Sequence, residues 1–368
     1  MLNILVCFGT RPEAIKLAPV CDELKNKGIA YKVCLTGQHK EMLHQVLDFF
    51  HIQPHYNLEL MRPNQTLNGL SSRVLEGVDN ILNNNDFNLV IVHGDTTTSV
   101  MTALAAYHRG IKVAHIEAGL RTHNKLSPFP EEINRQITGR IADLHFSPTK
   151  DSKTNLLNEG VKSENIYITG NTVIDALLTA KSKIRNNYSN KEILKLTQVL
   201  NIKKNLILVT GHRRENFGDG MIELCNALKK LAKNKDLEIV FPVHLNPNVD
   251  NVVRGQLKGI KNIHLISPVE YPTFIWLMDR AKLVISDSGG VQEEAPAFNV
   301  PVIVTRDISE RMEGVELGCS YLVGANSNKI ISKTNELLEV SKSKEMLNPY
   351  GDGKASVQIV DILLKYAN

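Results

Sequence analysis

The stretch VISDSGGVQEEAPAF, residues 284–298, joins an apolar run to a helix-forming segment through three very small residues. The run Leu283-Val284-Ile285 stops at Ser288-Gly289-Gly290, and the carboxylates Glu293 and Glu294 follow just inside the helical segment. Such a turn leaves backbone N–H groups at the positive end of a helix dipole, where an anion is stabilised. The stretch therefore predicts a strand–helix unit with an anion site, although Ser-Gly-Gly is also a generic turn.

The same alternation of short apolar runs and helical periodicity extends over the whole chain. Helical segments such as 14–25 and 41–50 separate the apolar runs, which lie at 4–6, 32–35, 89–92, 112–115, 144–146, 166–168, 206–209, 238–240, 262–265, 283–285 and 302–304. Near-continuous apolar strands separated by helices indicate parallel sheets covered on both faces. We therefore predict an α/β protein with two Rossmann-like, doubly wound domains and an active site in the cleft between them.

The position of the domain boundary is suggested by a change in composition. The segment 181–204 is polar and charged and contains RNNYSNKE, after which the strand–helix alternation begins again. We place an N-terminal domain at residues 1–185 and a C-terminal domain at 186–352.

Composition narrows the range of partners. The chain has 368 residues, with 43 Lys and Arg against 39 Asp and Glu, a formal net charge of +4. This excess is too small to indicate nucleic acid, and no basic stripe with interleaved aromatics occurs, but it suits a small anionic substrate. No run has the length of a membrane-spanning helix and the N-terminus MLNILVCFGT does not resemble a signal peptide, so we expect a cytoplasmic protein without a membrane partner. Five scattered cysteines without a C-x-x-C pair predict reduced, buried thiols.

Polar residues follow the first strand in the segment FGTRPEAIK. Thr10 and Glu13 have the spacing of a capping box, which predicts a helix start at this point. Arg11 and Lys16 lie around that start, either as ligand contacts or as incidental bases on a well-capped helix.

Three further turns of the first half carry carboxylates. Asp95 follows an apolar strand in VHGDTTTSV and has two interpretations, a functional group or a helix N-cap. Glu117 follows the next apolar strand in HIEAGLRT, where a carboxylate is expected to be paired or functional. Glu131 begins a helix in SPFPEEINRQ, with Arg135 one turn later, and an acidic first turn also simply suits the helix dipole.

The second half presents basic groups after its strands. His212 and Arg213 lie in VTGHRREN, and His244 lies in FPVHLNP. No G-x-G-x-x-G follows the first strand, and the chain contains no P-loop, no G-x-S-x-G motif and no metal-ligand spacing. Chemistry is therefore expected from carboxylates, histidine and arginine acting on a substrate that has its own leaving group.

Many motifs in order resemble the non-hydrolysing bacterial UDP-N-acetylglucosamine 2-epimerases. They are FGTRPEAIKLAPV, LTGQHKEML, VHGDTTTSV, HIEAGLRT, SPFPEEINRQITGRIADLHFSPT, ITGNTVIDALL, TGHRREN, PVHLNPNV, SDSGGVQEEAP and NPYGDGKAS. The resemblance covers nearly the whole chain. It implies the two-domain architecture of GT-B glycosyltransferases, with a last helix, residues 353–368, that crosses back to the first domain.

The resemblance also implies the reaction. UDP-N-acetylglucosamine and UDP-N-acetylmannosamine interconvert when the C2 proton is removed, UDP leaves C1 to give an enzyme-bound 2-acetamidoglucal, and both add back with the proton on the other face. Neither a metal nor a nicotinamide cofactor is implied. The family expectation is a homodimer that supplies N-acetylmannosamine units for cell-surface polysaccharide.

Residue roles follow from the matching motifs. The implied catalytic residues are Asp95, Glu117, Glu131 and His212. The implied substrate- and UDP-binding residues are Arg11, Lys16, Arg135, Arg213, His244, Phe274, Ser288, Gly289, Gly290 and Glu294, with Glu294 accepting hydrogen bonds from the ribose.

Some positions depart from the family pattern. Met312 stands where a proline is usual and Cys319 where a threonine is usual. Some members also bind a second UDP-N-acetylglucosamine as an activator, and Gln38 and His244 match that site. Glu41 replaces a glutamine there and Asn64 an arginine, and these losses of charge complementarity to a diphosphate predict weak or absent activation.

Three other readings remain open from the sequence alone. One is a GT-B glycosyltransferase that uses the same UDP pocket, the second is a hydrolysing 2-epimerase that releases UDP, and the third is a UDP-sugar sensor without catalysis. The transferase is less favoured because no acceptor-binding patch is evident, and the sensor because it does not need three carboxylates.

Overall fold

The computed structural model describes residues 2–37, 40–62, 64–186, 188–201, 203–211, 213, 216–309, 311–340 and 346–367. For residues 40–42 and 367 it describes the backbone alone. Contacts divide the chain into two units. One unit comprises the residues up to Ala176 together with those from Tyr350 onward, and the other is Leu177–Pro349. The division therefore falls at Ala176 and Tyr350, where the sequence analysis has residues 185 and 353.

The first unit contains a parallel sheet with helices between its strands. Its strands are β1 (Asn3–Phe8), β2 (Ala30–Leu35), β3 (Tyr56–Asn57), β4 (Leu89–His93), β5 (Lys112–Ile116), β6 (Leu144–Ser147) and β7 (Ile166–Ile168). Its helices are α1 (Arg11–Asn26), α2 (Lys40–Phe50), α3 (Leu67–Asn83), α4 (Thr97–His108), α5 (Glu131–Ile141) and α6 (Lys150–Asn158), and α7 (Thr172–Arg185) begins in this unit. Within the described residues the strand order is β3-β2-β1-β4-β5-β6-β7.

The second unit repeats this plan. Its strands are β8 (Asn205–Thr210), β9 (Leu237–Pro242), β10 (Ile263–Ile266), β11 (Ala281–Ser286), β12 (Val302–Val304) and β13 (Ser320–Leu322). Its helices are α8 (Lys191–Val199), α9 (Asp219–Leu231), α10 (Pro247–Leu257), α11 (Tyr271–Arg280), α12 (Gly289–Glu294), α13 (Met312–Glu316) and α14 (Ser327–Glu339). The strand order in the part of the chain that the structure describes is β10-β9-β8-β11-β12-β13.

The predicted α/β class with two doubly wound parallel sheets is confirmed. Every strand pair recorded among the described residues is parallel, and the central strands β1, β4 and β11 are almost wholly buried. The sequence analysis did not predict β3 and β13, which are short strands of two and three residues at the sheet edges. All five cysteines are free and buried, as expected.

None of the described helices combines the length and the apolar character needed to cross a bilayer.

Each sheet has one position where the chain reverses its direction of winding. In the first unit β1 lies between β2 and β4, and in the second unit β8 lies between β9 and β11. Ligands of doubly wound sheets bind beyond the carboxyl ends of the strands at such positions. The loops after β1 and β4, and those after β8 and β11, are therefore where a site is expected.

The last helix, α15 (Ala355–Ala367), packs on α1 and belongs to the first unit. Asp175, in the first turn of α7, accepts hydrogen bonds from the N–H of Ala355 (3.2 Å), the N–H of Ser356 (2.8 Å) and the hydroxyl of Ser356 (2.6 Å). The side chain is buried and acts as an N-cap supplied from elsewhere in the chain. An ion pair between Lys27 and Asp361 (3.1 Å) adds a contact at the surface.

Removing this cap should loosen α15. Asp175→Asn places an amide donor among N–H groups that need an acceptor, so we expect a loss of about 1–2 kcal/mol in the free energy of unfolding. Urea unfolding and amide hydrogen exchange of the 355–367 peptide measure the effect. The matched control is Asp361→Asn on the same helix, whose exposed ion pair should matter by less than about 0.5 kcal/mol. Equal protection of α15 in both variants would contradict the role of Asp175.

Candidate functional site

Three of the predicted site carboxylates lie together in the first unit. Asp95 is two residues beyond β4, Glu117 directly follows β5, and Glu131 is the first residue of α5. Burial is the main cause that raises the pKa of Asp95, and the negative charges of Glu117 and Glu131 raise it further, while Arg135 lowers it. The three residues are therefore close enough to influence one another. We call them, with Lys16 and Arg135, the carboxylate cluster.

Glu117 is held in an unusual backbone conformation by its surroundings. Its φ is +62°, the left-handed region that a glutamate rarely occupies. Its Oε2 atom contacts the ammonium group of Lys16 and accepts a hydrogen bond from Nδ2 of Asn171 (3.0 Å). The His93 ring lies on the same side, with Nε2 at 3.6 Å from Oε2. This left-handed turn directs a side chain from the end of a buried strand into the cluster.

Asp95 has different partners from Glu117. Its carboxylate pairs with Arg135, and its backbone carbonyl accepts a hydrogen bond from Nδ2 of Asn134 (2.9 Å). The N-cap of α4 is Thr96, whose side chain accepts from the N–H of Ser99. The alternative interpretation of Asp95 as the N-cap is therefore wrong, because the next residue performs that role and leaves the Asp95 carboxylate in the cluster.

Glu13 connects the loops that follow β1 and β4. Its Oε2 accepts hydrogen bonds from the N–H of Gly9 (3.0 Å) and the N–H of Thr10 (2.8 Å), and its Oε1 accepts from the hydroxyls of Thr96 (2.7 Å) and Ser99 (3.2 Å). The predicted capping box with Thr10 is confirmed. The capping pattern gave no sign of the contacts to Thr96 and Ser99, which are 83 and 86 residues away. Burial is the largest effect on Glu13 and raises its pKa.

Three histidines of the neighbouring strands β4, β5 and β6 are buried and neutral. Burial lowers the pKa of His93 to about 4, that of His115 to about 3 and that of His145 to about 4. Nε2 of His115 is 2.7 Å from the carbonyl oxygen of Gly94. Sequence analysis did not single out His93, since a histidine that ends an apolar strand gives no sign of what it faces.

In the second unit, Ser288, Gly289 and Gly290 lie where β11 leads into α12. Ser288 is the N-cap of α12 but makes no capping bond with its side chain, and its N–H donates to Oγ of Ser286 (2.9 Å). The buried Asp287 accepts hydrogen bonds from the backbone N–H of Arg213 (3.0 Å) and from Nδ2 of Asn216 (3.2 Å). The loops after β8 and β11 are thus joined by one carboxylate. Nε of Arg213 is buried and has no hydrogen-bond partner among the described residues.

Arg311 lies directly against this turn, and sequence analysis missed it. A Cβ atom on Gly289 would be 3.0 Å from the guanidinium carbon of Arg311, so only glycine fits there without displacing the arginine. Nε of Arg311 donates to Oε1 of Glu293 (2.9 Å). Glu293 and Glu294 are the last two residues of α12, not residues just inside its start, because the helix has only six residues.

The remaining predicted residues have varied positions. Arg11 is the first residue of α1 and is partly buried, Phe274 is half-buried in the first turn of α11, and His244 is exposed, with Nδ1 accepting from the N–H of Asn246 (3.1 Å). Asn64 is exposed with φ +53°. His212 and Gln38 lie outside the described residues, as does the side chain of Glu41.

Two parallel sheets, each flanked by helices, match the two-domain GT-B fold class. Within that class, a family model described as UDP-N-acetylglucosamine 2-epimerase matches residues 22–364. The chain therefore belongs to the UDP-N-acetylglucosamine 2-epimerase family, whose members are isomerases.

Individual relatives are similar over their full lengths. A UDP-N-acetylglucosamine 2-epimerase from Campylobacter jejuni is 49% identical over 377 residues, which is 100% of this chain and 98% of that protein. A crystal structure of the UDP-GlcNAc 2-epimerase from Neisseria meningitidis bound to UDP-GlcNAc has a TM-score of 0.91 and 44% identity, and covers 99% of this chain and 100% of the other. The enzyme from Methanocaldococcus jannaschii, in complex with UDP-GlcNAc and UDP, has a TM-score of 0.84 and 33% identity, with coverage of 99% and 100%.

The buried histidines should make the stability of the first unit sensitive to acid. The folded pKa of His145, about 4, is below the ordinary value of 6.5. The unfolded chain therefore binds more protons, and the contribution of neutral His145 is complete above pH 6.5 and is lost as the pH falls towards 4. The buried carboxylates whose pKa is raised, Glu13 and Asp95, titrate in the opposite sense, so a difference between variants is the appropriate measurement.

We expect the stability deficit of His145→Gln relative to the unmodified protein to shrink by about 2 kcal/mol between pH 7 and pH 5. Urea unfolding followed by circular dichroism at several pH values measures this difference. A deficit that stays constant over the range would show that His145 is not held neutral by burial.

Proposed function

We propose that the protein interconverts UDP-N-acetylglucosamine and UDP-N-acetylmannosamine without net hydrolysis. The C2–H bond breaks as a carboxylate takes the proton, the electron pair forms the C1–C2 double bond, and the C1–O bond to UDP breaks. Both products of this elimination, 2-acetamidoglucal and UDP, stay bound until UDP re-adds and C2 is protonated on its other face. The observation that carries the proposal is the carboxylate cluster in a chain that belongs to this family.

The carboxylate cluster offers two acid–base groups in different environments. Lys16 and Asn171 stabilise the ionised form of Glu117, which suits a base that accepts the C2 proton. Burial raises the pKa of Asp95, which suits a group that carries a proton. Two such groups are needed because the two faces of C2 must each be served. Glu131, at the start of α5, contributes a third charge beside Asp95.

The second unit supplies groups for the leaving UDP. Negative charge develops on the diphosphate as the C1–O bond breaks, so positive charge and N–H groups at that point lower the barrier. The Ser288-Gly289-Gly290 turn, Arg213 and the adjacent Arg311 provide them. We assign His212 to the same side and Glu294, at the end of α12, to the ribose hydroxyls.

The relatives support this assignment of substrate. The structures from Neisseria meningitidis and Methanocaldococcus jannaschii hold UDP-GlcNAc, and the second also holds UDP. From the family resemblance we expect a homodimer, and a product that supplies N-acetylmannosamine units for cell-surface polysaccharide. Asn64 stands where other members have an arginine. Weak or absent activation by a second UDP-N-acetylglucosamine therefore stays a prediction.

Proton NMR of UDP-N-acetylglucosamine with the protein in heavy water tests the reaction. We expect UDP-N-acetylmannosamine to form, with deuterium at C2 because a protein carboxylate exchanges its proton with solvent. Accumulation of free UDP would instead show a hydrolysing epimerase. Product that retains the original hydrogen would contradict the elimination with solvent exchange, and no change at all would contradict the epimerase.

Neutralising each carboxylate should reduce turnover more than UDP binding. We expect Asp95→Asn, Glu117→Gln and Glu131→Gln each to lower kcat by about a hundredfold or more, the usual scale for a lost acid–base group. UDP affinity, measured by calorimetry, should change by less than about threefold because these residues act on the sugar.

The matched control is Asp143→Asn in the same unit. Asp143 pairs with Lys112 (2.7 Å) at the amino end of its strand, away from the carboxylate cluster. Its removal should leave kcat within about twofold, as for most exposed ion pairs. If UDP binding is lost in the three cluster variants while the fold survives, the assignment of these carboxylates to the sugar is wrong.

A further inference from the structure

His93 has a buried ring nitrogen that the reaction scheme does not use. It is the last residue of β4 and is 3% exposed. Its Nε2 has no hydrogen bond to any residue that the structure describes. The nearest acceptor recorded for it is Oε2 of Glu117, at 3.6 Å. A buried nitrogen left without a partner costs free energy, so its position beside Glu117 needs an explanation.

The surroundings of His93 restrict what the ring can do. Glu117 faces it from the loop after β5 and Lys16 from α1, and the neighbouring strand β5 carries His115, whose pKa His93 lowers slightly. Glu117 in turn is faced by Lys16, by His93 and by Asp95. Burial, which is the largest effect, lowers the pKa of His93 to about 4, and Lys16 lowers it further, so the ring is neutral at neutral pH. It can therefore offer one N–H without adding a charge to the cluster.

We propose that His93 is a positioning residue for Glu117, with Nε2–H as a third donor to Oε2 beside Lys16 and Asn171. The inference rests on the proposed function, in which Glu117 is a base. Lys16 and Asn171 already favour the ionised carboxylate, which has no proton to give, so a bond between the two groups requires the neutral tautomer with its proton on Nε2 and a closer approach than the present 3.6 Å. With this third donor, Oε2 would be held by Lys16, Asn171 and His93, and Oε1 would be the oxygen left to accept the C2 proton.

The strand register explains why His93 can do this. His93 pairs with Ile116, and Glu117 is the next residue along the chain. The left-handed turn at Glu117 brings its side chain back over the end of β4 instead of continuing along β5. His93 thus stabilises the conformation that the strained backbone imposes, and its effect on the reaction passes through Glu117.

His145 provides a matched control. It is a buried histidine of the same sheet, on β6, and burial lowers its pKa to about 4 as for His93. The charges that influence it are those of Arg121, Asp143 and Glu159, none of which belongs to the carboxylate cluster. A change that merely disturbs packing should act alike at both histidines, whereas a change that acts through Glu117 should be confined to His93.

The test is the pH profile of epimerisation for the unmodified protein, His93→Ala, His93→Gln and His145→Ala. A carboxylate that loses a donor is protonated more easily, so the acid limb of kcat should move upward by about half to one pH unit in His93→Ala. Turnover at neutral pH should fall about tenfold. His93→Gln keeps an N–H near the same place, so its acid limb should lie close to that of the unmodified protein. His145→Ala should not change the pH of the acid limb.

A second measurement uses Glu117→Gln as background. If His93 acts through Glu117, the double variant with His93→Ala should have a kcat within about twofold of that of Glu117→Gln alone. If the two residues act independently, the reductions in kcat of the two single variants should multiply in the double variant. His93→Phe, which fills the space without a nitrogen, replaces His93→Ala if the alanine variant does not fold by circular dichroism.

An acid limb that is unmoved or moves downward in an active, folded His93 variant overturns the inference, as do multiplying effects in the double variant. Failure of the proposed function looks different, because the unmodified protein itself then forms no UDP-N-acetylmannosamine.

Discussion

One buried carboxylate, Glu13, connects the two loops that build the first unit's site. Backbone N–H groups of the loop after β1 and hydroxyls of Thr96 and Ser99 after β4 all donate to it. Burying a carboxylate is costly unless it is fully hydrogen-bonded, so these donors must be present together or not at all. The two loops are therefore fixed relative to each other at the point where the sheet changes its winding. Arg11 and Lys16 lie on α1, directly after one of these loops, and Asp95 lies in the other.

The two units use one architecture to place different side chains. In the first, the two carboxylates that follow strands have different partners. Glu117 contacts Lys16 and Asn171, whereas Asp95 pairs with Arg135. In the second, the side chain of Arg311 lies against a glycine turn, and Asp287 of that turn accepts from the backbone N–H of Arg213. Each unit also joins its two central loops through one acidic side chain, Glu13 in the first and Asp287 in the second. The shared device suggests that precise loop placement, rather than loop composition alone, is what doubly wound sheets supply to a site.

Sequence patterns correctly predicted those structural features that depend on interactions between residues close together in the chain. The capping box at Thr10 and Glu13, the helix start at Glu131 and the apolar strands were confirmed, because each depends on residues within a few positions of one another. The edge strands β3 and β13 were missed, since their short sequences YN and SYL form no apolar run, unlike the three-residue strands β7 and β12. The N-cap role considered for Asp95 was wrong by one residue, since the five polar residues 95–99 each offer a capping oxygen.

The sequence by itself determined the α/β class, the repetition of two doubly wound units and the polar turns that follow their strands. Motif resemblance also named all five residues of the carboxylate cluster. Only the tertiary structure decided which of them touch, and it added His93, Asn171 and Arg311 to the groups around the two turns. The physical reason is distance along the chain. Glu117 meets Lys16 across 101 residues and Asn171 across 54, and contacts of that separation are set by strand order and register, which leave no periodic trace in the sequence.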